Sequence, residues 1–313
     1  MIADFEDLCL HMYCMVDDIW KRVSHLFSRP GPSPECSDSE LMTMVLIGEC
    51  RGWDVETELL SNWTSYRHLN LFPRIPSQSR FNRRRRNLSE AFNLVRRIIL
   101  TNLDLAHDRQ CVLDALPVEV IGFHLVPGST HRSEWLSNGA TFGRVCTKKR
   151  TIFGYKLHLL TTLGGALLDF ELVGANVPDQ EAGASLLGGH SHLDVVADKG
   201  FIDQYLAEQL RCDNDITLIT LPRRNQKHHS LNQMPVFVQQ LVTSLINSAR
   251  QIVETVNGQL TEQFNLEVTH AYTFSGLCAR LHSKLAAHTL SIYINRFLGK
   301  ADFLHIKQLA FPI

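Results

Sequence analysis

Apolar and polar positions in the first hundred residues follow the period of an α-helix. The segment SDSELMTMVLIGEC opens with Ser37 and has Glu40 three residues later, a capping-box pattern before an apolar helix. The segment NLSEAFNLVRRIILTNL has one apolar face, with Asn87 placed as its cap. Proline-containing segments at 30–35 and 71–80 interrupt the helices. Residues 1–105 are therefore predicted to form a small helical domain with helix-turn-helix character.

From residue 106 the pattern changes to short apolar runs that alternate with helical segments. The runs CVLDALPVEV, TIFGYKLHLLTT and ALLDFELVGAN are typical of strands, and the LGG between the last two predicts a hairpin. A helix after Asp179, the strand LDVVAD, the helix IDQYLAEQLRC, the strand ITLITLP and a long helix from residue 236 follow. This order predicts an α/β unit over 106–313, with a mixed sheet that helices cover.

Composition excludes several classes of protein. The chain has 313 residues, of which 44% are hydrophobic and 20% charged, as in a globular protein with a full core. No apolar run approaches the ~18 residues that cross a bilayer, and the acidic start MIADFEDL lacks the basic region of a signal peptide. The eight cysteines form no C-x-x-C pair and are expected to be buried free thiols. These features predict a cytoplasmic protein with no membrane partner.

Positive charge is concentrated in one part of the sequence. The net charge is only −1, but residues 67–97 hold nine arginines and a single acid, Glu90. A basic surface of this kind can contact phosphates, although a solvated basic helix face is the plainer explanation. On a helix, some of these arginines share one face while Arg85 points away. The candidate phosphate contacts are Arg80, Arg83, Arg84 and Arg86.

Two aspartates each follow a short apolar run. In LDVVADKGF the run leads into Asp198, and in CVLDALPVEV it leads into Asp114. Taken alone, LDVVADKGF is typical of a buried strand that ends in a plain turn. If the two strands lie side by side, however, both carboxylates stand at the carboxyl ends of the strands, where ligands of α/β sheets gather.

The long helix after residue 236 offers a third carboxylate. Arg250 and Glu254 are four residues apart on it, so they can form an ordinary surface ion pair. If Glu254 instead joins the two aspartates, three acids at one sheet edge repel one another unless a cation neutralises them. Oxygen ligands of this kind suit Mg²⁺ or Mn²⁺.

The chain resembles a known family of proteins. The order of elements and the spacing of Asp114, Asp198 and Glu254 resemble the RNase H-like domain of bacterial insertion-sequence DDE transposases. The segments YKLHLLTT, GANVPD and DKGF agree, as does Arg250 four residues before Glu254. The amino-terminal segments LIGECRGWD and LFPRIPSQSRFNRRRRNL resemble the compact IS nine-eighty-two family.

The resemblance implies a reaction and its partners. Two metal ions would catalyse the cleavage of a transposon end and the joining of the freed 3′-hydroxyl to target DNA. It implies that Asp114 bridges both ions, and that Asp198 and Glu254 each complete one. The partners would be double-stranded DNA, as terminal inverted repeats and target, and further copies of the chain in a homodimer or higher oligomer. The protein would be nucleoid-associated when bound to DNA.

Two positions depart from the family pattern. Related transposases have a Tyr three residues before the Arg and a Lys seven residues after the Glu, whereas this chain has Asn247 and Thr261 there. The family Lys is thought to touch DNA near the cleaved end, and Arg280 or Lys284 on the following helix could replace it. Lys156 and Arg250 are the other expected DNA contacts.

Three alternatives remain open at this stage. His190 and His192, with Asp194, could indicate a transition-metal site, although surface histidines are the plainer explanation. A host nuclease of the same fold would hydrolyse DNA without joining strands. A domesticated DNA-binding protein would do neither.

Overall fold

The computed structural model describes residues 4–27, 31–66, 70–145, 149–201, 203–220, 234–268, 270–300 and 304–307. Its backbone contacts divide the chain into two compact units. The helical unit comprises Met1–Leu103 and Gln259–Ile313, and the sheet unit comprises Asp104–Gly258. The predicted boundary near residue 105 thus lies close to the first break, and the last helix packs with the amino-terminal helices. The assignment of 1–105 to DNA binding and 106–313 to catalysis stays a prediction.

The helical unit has a common core, in which the second and last helices are buried on nearly every side. The predicted capping box is present at the second helix, where the Ser37 hydroxyl accepts from the Glu40 backbone and the Glu40 carboxylate accepts from the Ser37 backbone. The last helix is buried along most of its length and packs on the fifth and second helices. The helices are α1 (Phe5–Val23), α2 (Asp38–Arg51), α3 (Glu56–Ser65), α4 (Gln78–Asn87), α5 (Ser89–Asn102) and, numbered in chain order, α10 (Phe274–Phe297).

One predicted cap is wrong. Asn87 is the last residue of α4, and Leu88 is the N-cap of α5 without a side-chain hydrogen bond. The two helices follow one another without a loop, so that the Asn87 side chain has no free helix start to cap. The apolar face predicted for α5 is nevertheless buried, as shown by Phe92, Val95 and Ile99.

The sheet unit has the predicted mixed sheet. The strand order is β2-β3-β1-β5-β6, with β4 paired to β3. The pairs β1–β3, β2–β3 and β3–β4 are antiparallel, whereas β1–β5 and β5–β6 are parallel. The predicted fold class and the β3–β4 hairpin are therefore confirmed. The strands are β1 (Gln110–Ile121), β2 (Thr141–Val145), β3 (Arg150–Thr162), β4 (Leu167–Gly174), β5 (Asp194–Ala197) and β6 (Thr217–Thr220).

Helices cover both faces of this sheet. On one face, Leu113 of β1 packs with apolar residues of α7 and α8. On the other face, Val112 packs with Ala249 and Val253 of α9. The long predicted helix ends at Gly258 and continues as one π-helical turn, Gln259–Gln263. The helices are α6 (Arg132–Ser137), α7 (Asp179–Gly188), α8 (Gln204–Asn214) and α9 (Val236–Gly258), with a 3-10 turn at Lys199–Phe201.

Two sequence expectations concern the environment of the chain. Among the described residues, none of the helices is both long and apolar enough to span a membrane.

Of the described cysteines, which are all free, Cys14 and Cys212 are exposed, so the expectation that every thiol is buried is wrong for these two.

Candidate active site

The two predicted aspartates lie side by side on the sheet. Leu113 of β1 pairs with Ala197, the last residue of β5, and the residues that follow these two in the chain are Asp114 and Asp198. Because side chains alternate along a strand, both carboxylates lie on the face that α9 covers. One detail differs from expectation: Asp198 directly follows β5, but β1 continues for seven residues beyond Asp114 to Ile121.

Asp114 is half-buried and held by α9. The Asn257 side-chain amide donates a hydrogen bond to its Oδ2 at 2.7 Å. Burial raises the pKa of Asp114, and the negative charge of Asp198 raises it further, while hydrogen bonds from Ala115 and Asn257 oppose this. Asn257 carried no signal in the sequence, because an amide on a helix looks like any other polar residue.

Asp198 has a cation beside it. The Arg250 guanidinium on α9 lies 3.1 Å from its Oδ1, and both side chains remain partly exposed. Arg250 thus contacts the second aspartate, rather than serving only as a partner for Glu254. The prediction that Arg250 contacts DNA stays a prediction.

Glu254 is on the same helix but at the rim of the site. Val253 next to it is buried, whereas Glu254 is exposed. Along α9, Arg250, Glu254 and Asn257 follow one another at spacings of four and three, so they share one side of the helix. Within the described part of the chain, no three His, Cys, Asp or Glu side chains are close enough together to hold a metal ion. The structure therefore brings two of the three predicted acids together.

The chemistry of this donor set fits a hard divalent cation. Asp114 and Asp198 offer only oxygen ligands, and burial and, after it, repulsion from the charge of Asp198 raise the pKa of Asp114. A cation between them would relieve that repulsion. Mg²⁺ and Mn²⁺ are the ions that such ligands prefer.

Lys156 is placed on the other face of the sheet. It pairs with Pro117 across β1–β3, three positions from Asp114, so its side chain points away from the two aspartates. Its Nζ lies 2.6 Å from Oδ1 of Asp179, the first residue of α7. The predicted DNA contact of Lys156 remains untested, and this ion pair competes with it.

The arginines of α4 have different surroundings. Arg80 and Arg83 are exposed, whereas Arg84 forms an ion pair with Asp38 at 2.8 Å and is mostly covered. Arg85 is only 3% exposed and pairs with Glu49 in the core. Arg86 is half-buried. Two of the four candidate phosphate contacts, Arg80 and Arg83, are thus fully available at the surface.

Arg80, Arg83 and Arg84 also line an open groove of about 1070 Å³ in the helical unit. Its walls come from the two proline-containing segments at 32–36 and 73–77. The sequence indicated the prolines only as interruptions between helices.

Arg280 and Lys284 of α10 belong to a buried ion network. The Lys284 Nζ lies 2.8 Å from Glu49 and 2.7 Å from Asp54, and the side chain is 1% exposed. Arg280 donates to the Asp54 carbonyl at 2.9 Å and lies 3.8 Å from Glu56. Their predicted DNA contacts are untested, but in this structure both cations face carboxylates inside the helical unit.

The histidines of GGHSHLD do not converge on a shared site. His190 contacts Asp169 at 3.0 Å, and His192 contacts Asp215 at 2.7 Å. The His192 pair is exposed at the surface, and the His190 pair is partly buried. This arrangement fits the plainer explanation of surface histidines.

The mixed sheet flanked by helices is consistent with the RNase H-like fold of DDE enzymes. Residues 119–273 match the family model described as transposase DDE domain. The chain therefore belongs to the insertion-sequence DDE transposases. The matched range includes Asp198, Arg250 and Glu254 and begins after Asp114. No curated protein and no solved structure gave a match.

Proposed function

We propose that this transposase cuts transposon ends and joins them to target DNA with Asp114, Asp198 and Glu254. The observation that supports this most is the adjacency of Asp114 and Asp198 beneath α9, the helix that carries Glu254. Two Mg²⁺ or Mn²⁺ ions would be held by these carboxylates, with Asp114 shared between them. When bound, the ions would activate the attacking oxygen and stabilise the leaving oxygen of the phosphodiester.

Residues of α9 would orient the two aspartates, offset their charge and add a third carboxylate. Asn257 fixes the orientation of Asp114 by its hydrogen bond. Arg250 offsets the charge of Asp198, which limits the repulsion between the two acids. Glu254, exposed on the same side of α9, would supply the third carboxylate once DNA and cations arrive.

The proposed substrate is double-stranded DNA, as terminal inverted repeats and as target. Arg80 and Arg83 offer the exposed positive charge for phosphate contact. A homodimer or higher oligomer on DNA, with one copy of the chain at each transposon end, is part of this proposal. The location would be the bacterial cytoplasm, on the nucleoid when bound.

The test is cleavage of a DNA fragment that carries the inverted repeats flanking the gene. Asp114→Asn and Asp198→Asn should each abolish Mg²⁺-dependent cleavage and leave DNA affinity nearly unchanged, because shape is kept and one charge is lost. Asp194→Asn, at the other end of β5, is the matched control and should cleave normally. Retained cleavage in Asp114→Asn would contradict the catalytic assignment.

Glu254 and the joining step need separate measurements. Glu254→Gln should lose cleavage, with partial rescue by Mn²⁺ if Glu254 is a direct ligand. A normal rate would return Glu254 to the role of a surface acid. Cleavage without joining to a target plasmid would favour a host nuclease, and DNA binding without cleavage would favour a domesticated binding protein.

A further inference from the structure

Gly183 of α7 occupies a tight position on the sheet face opposite the candidate active site. A Cβ at this residue would stand 2.8 Å and 2.9 Å from two ring carbons of Phe201. It would also stand 3.1 Å from a methyl carbon of Leu113. Cβ atoms in folded proteins make contacts at about 3.4–4 Å, so only glycine lets α7 approach the sheet this closely.

The two residues that Gly183 contacts are linked to the two aspartates. Leu113 immediately precedes Asp114 on β1, and alternation along the strand puts them on opposite faces. Phe201 follows Asp198 in a 3-10 turn that is closed by a hydrogen bond of 3.0 Å from the Phe201 backbone N–H to the Asp198 carbonyl. A displacement of either residue that reaches its backbone would therefore move the neighbouring carboxylate.

Phe201 has little freedom to move away. It is 4% exposed and belongs to the same core cluster as Leu113. The ring of His158 meets it edge to face at 5.9 Å. Burial lowers the pKa of His158 to about 4, so this ring is neutral at pH 7 and packs as an apolar neighbour.

The same turn is also supported from the start of α7. A Cβ at Gly200, within the turn, would stand 3.4 Å from a carboxylate oxygen of Asp179. Asp179 is held in turn by Lys156 at 2.6 Å. Two points of α7, four residues apart, thus lie close to the segment that follows Asp198.

We propose that Gly183 is a positioning residue that sets the spacing of Asp114 and Asp198 from the far side of the sheet. It acts through Leu113 and Phe201 and touches neither the substrate nor a cation. The inference rests on the proposed function, since it gives the spacing of these two acids a role in cation binding and cleavage. A displacement of the carboxylates by a fraction of an ångström to 1 Å would cost about 10- to 100-fold in rate.

The experiment compares Gly183→Ala with Gly188→Ala on the same helix. Gly188 is exposed, and a Cβ there meets nothing within 4 Å. Both variants place an alanine in α7, in its interior at 183 and at its last residue at 188, but only the methyl group at 183 meets Leu113 and Phe201. Neither glycine lies in the proposed catalytic machinery.

Two readouts separate positioning from loss of structure. The first is the affinity for Mn²⁺ alone, from the electron paramagnetic resonance signal of the free ion. The second is the single-turnover cleavage rate at saturating DNA, with DNA affinity measured in parallel. Gly183→Ala should weaken Mn²⁺ binding about tenfold and slow cleavage about 10- to 100-fold with unchanged DNA affinity. Gly188→Ala should match the wild type in both.

A compensating change provides an internal check. Phe201→Leu in the Gly183→Ala background removes ring carbons that the new methyl group meets, so it should restore part of the cleavage rate. If Gly183→Ala does not fold, Phe201→Leu alone decides: slower cleavage with normal DNA affinity supports the inference, and a normal rate overturns it.

The two measurements distinguish a failure of the positioning role of Gly183 from a failure of the proposed function. Identical Mn²⁺ affinity and cleavage rate in Gly183→Ala and Gly188→Ala would overturn the role of Gly183. If the wild type binds Mn²⁺ but cuts no DNA, the proposed function fails, while the Mn²⁺ comparison of the two variants still decides the inference.

Discussion

Replacement of Lys284 by methionine tests whether this cation stabilises the helical unit or contacts DNA. Its Nζ bridges Glu49 at 2.8 Å and Asp54 at 2.7 Å, and it also donates to the Phe264 carbonyl. Lys284→Met fills a similar volume but leaves two buried carboxylates without the cation they share. Breaking a buried ion pair from one side costs about 3–5 kcal/mol.

The remaining partners place the expected loss at the lower end of that range. Arg85 still pairs with Glu49, and the Ser283 hydroxyl donates to Glu49 at 2.9 Å. Asp54 keeps its hydrogen bond from the Asn265 amide. We therefore expect a loss of about 3 kcal/mol in the free energy of unfolding at neutral pH.

The pH dependence follows from Glu49. Burial alone would raise the pKa of Glu49, but the charges of Lys284 and Arg85 outweigh burial and lower it from its ordinary value of 4.5. Because the folded pKa is lowered, the stabilisation is complete above the unfolded pKa and disappears as the pH falls through the folded pKa. The deficit of Lys284→Met should thus be largest at neutral pH and shrink below pH 4.5.

Urea unfolding of the wild type and Lys284→Met measures this loss, with Lys21→Met as the control. Lys21 is exposed and pairs with the partly buried Asp17 at 2.7 Å, so its replacement should change the midpoint little. The salt dependence of DNA binding, measured on the same preparations, should be unaltered in Lys284→Met. An unchanged unfolding midpoint together with weaker, less salt-dependent DNA binding would refute this reasoning and restore Lys284 as a DNA contact.

Two further predictions concern DNA binding and the first aspartate. The double variant Arg80→Ala and Arg83→Ala should flatten the slope of log affinity against log salt by roughly two and weaken binding to all sequences alike, because each exposed guanidinium releases one counterion. Binding isotherms over a salt series check this, with Arg84→Ala expected to change the slope less because Asp38 already pairs with it. Asn257→Ala should slow single-turnover cleavage about tenfold, the value of one hydrogen bond to the Asp114 carboxylate, with DNA affinity unchanged. A normal rate would contradict the orienting role.

Features specified by neighbouring residues could be predicted from the sequence. The capping box at Ser37 depends on residues three apart, and the β3–β4 hairpin depends on its short glycine turn. The order of strands and helices in the sheet unit follows from local apolar periodicity in the same way. The short strand β2 was missed, because its five residues TFGRV are too few to show alternation clearly.

Features that depend on distant partners could not be predicted. Lys284 and Asp54 are 230 positions apart, so nothing near either residue indicated that they meet in the core. Charged residues are normally exposed unless they are paired, and sequence patterns therefore place them at the surface by default. Asn257 lies 143 positions from Asp114 and was missed for the same reason.

The arginine run of α4 shows why a count of charges overstates a DNA-binding surface. Arg85 is buried in the core, where it forms an ion pair with Glu49, and Arg84 is largely covered by its ion pair with Asp38. Only charges that face solvent can replace condensed counterions on DNA. The arginine run therefore offers fewer phosphate contacts than the number of its arginines suggests. The buried arginine instead holds α4 in place, which orients Arg80 and Arg83 toward the groove between the proline segments. Loss of Arg85 would thus weaken DNA binding through unfolding, and loss of Arg80 and Arg83 through lost phosphate contacts, a difference that the salt slope and the urea midpoint separate.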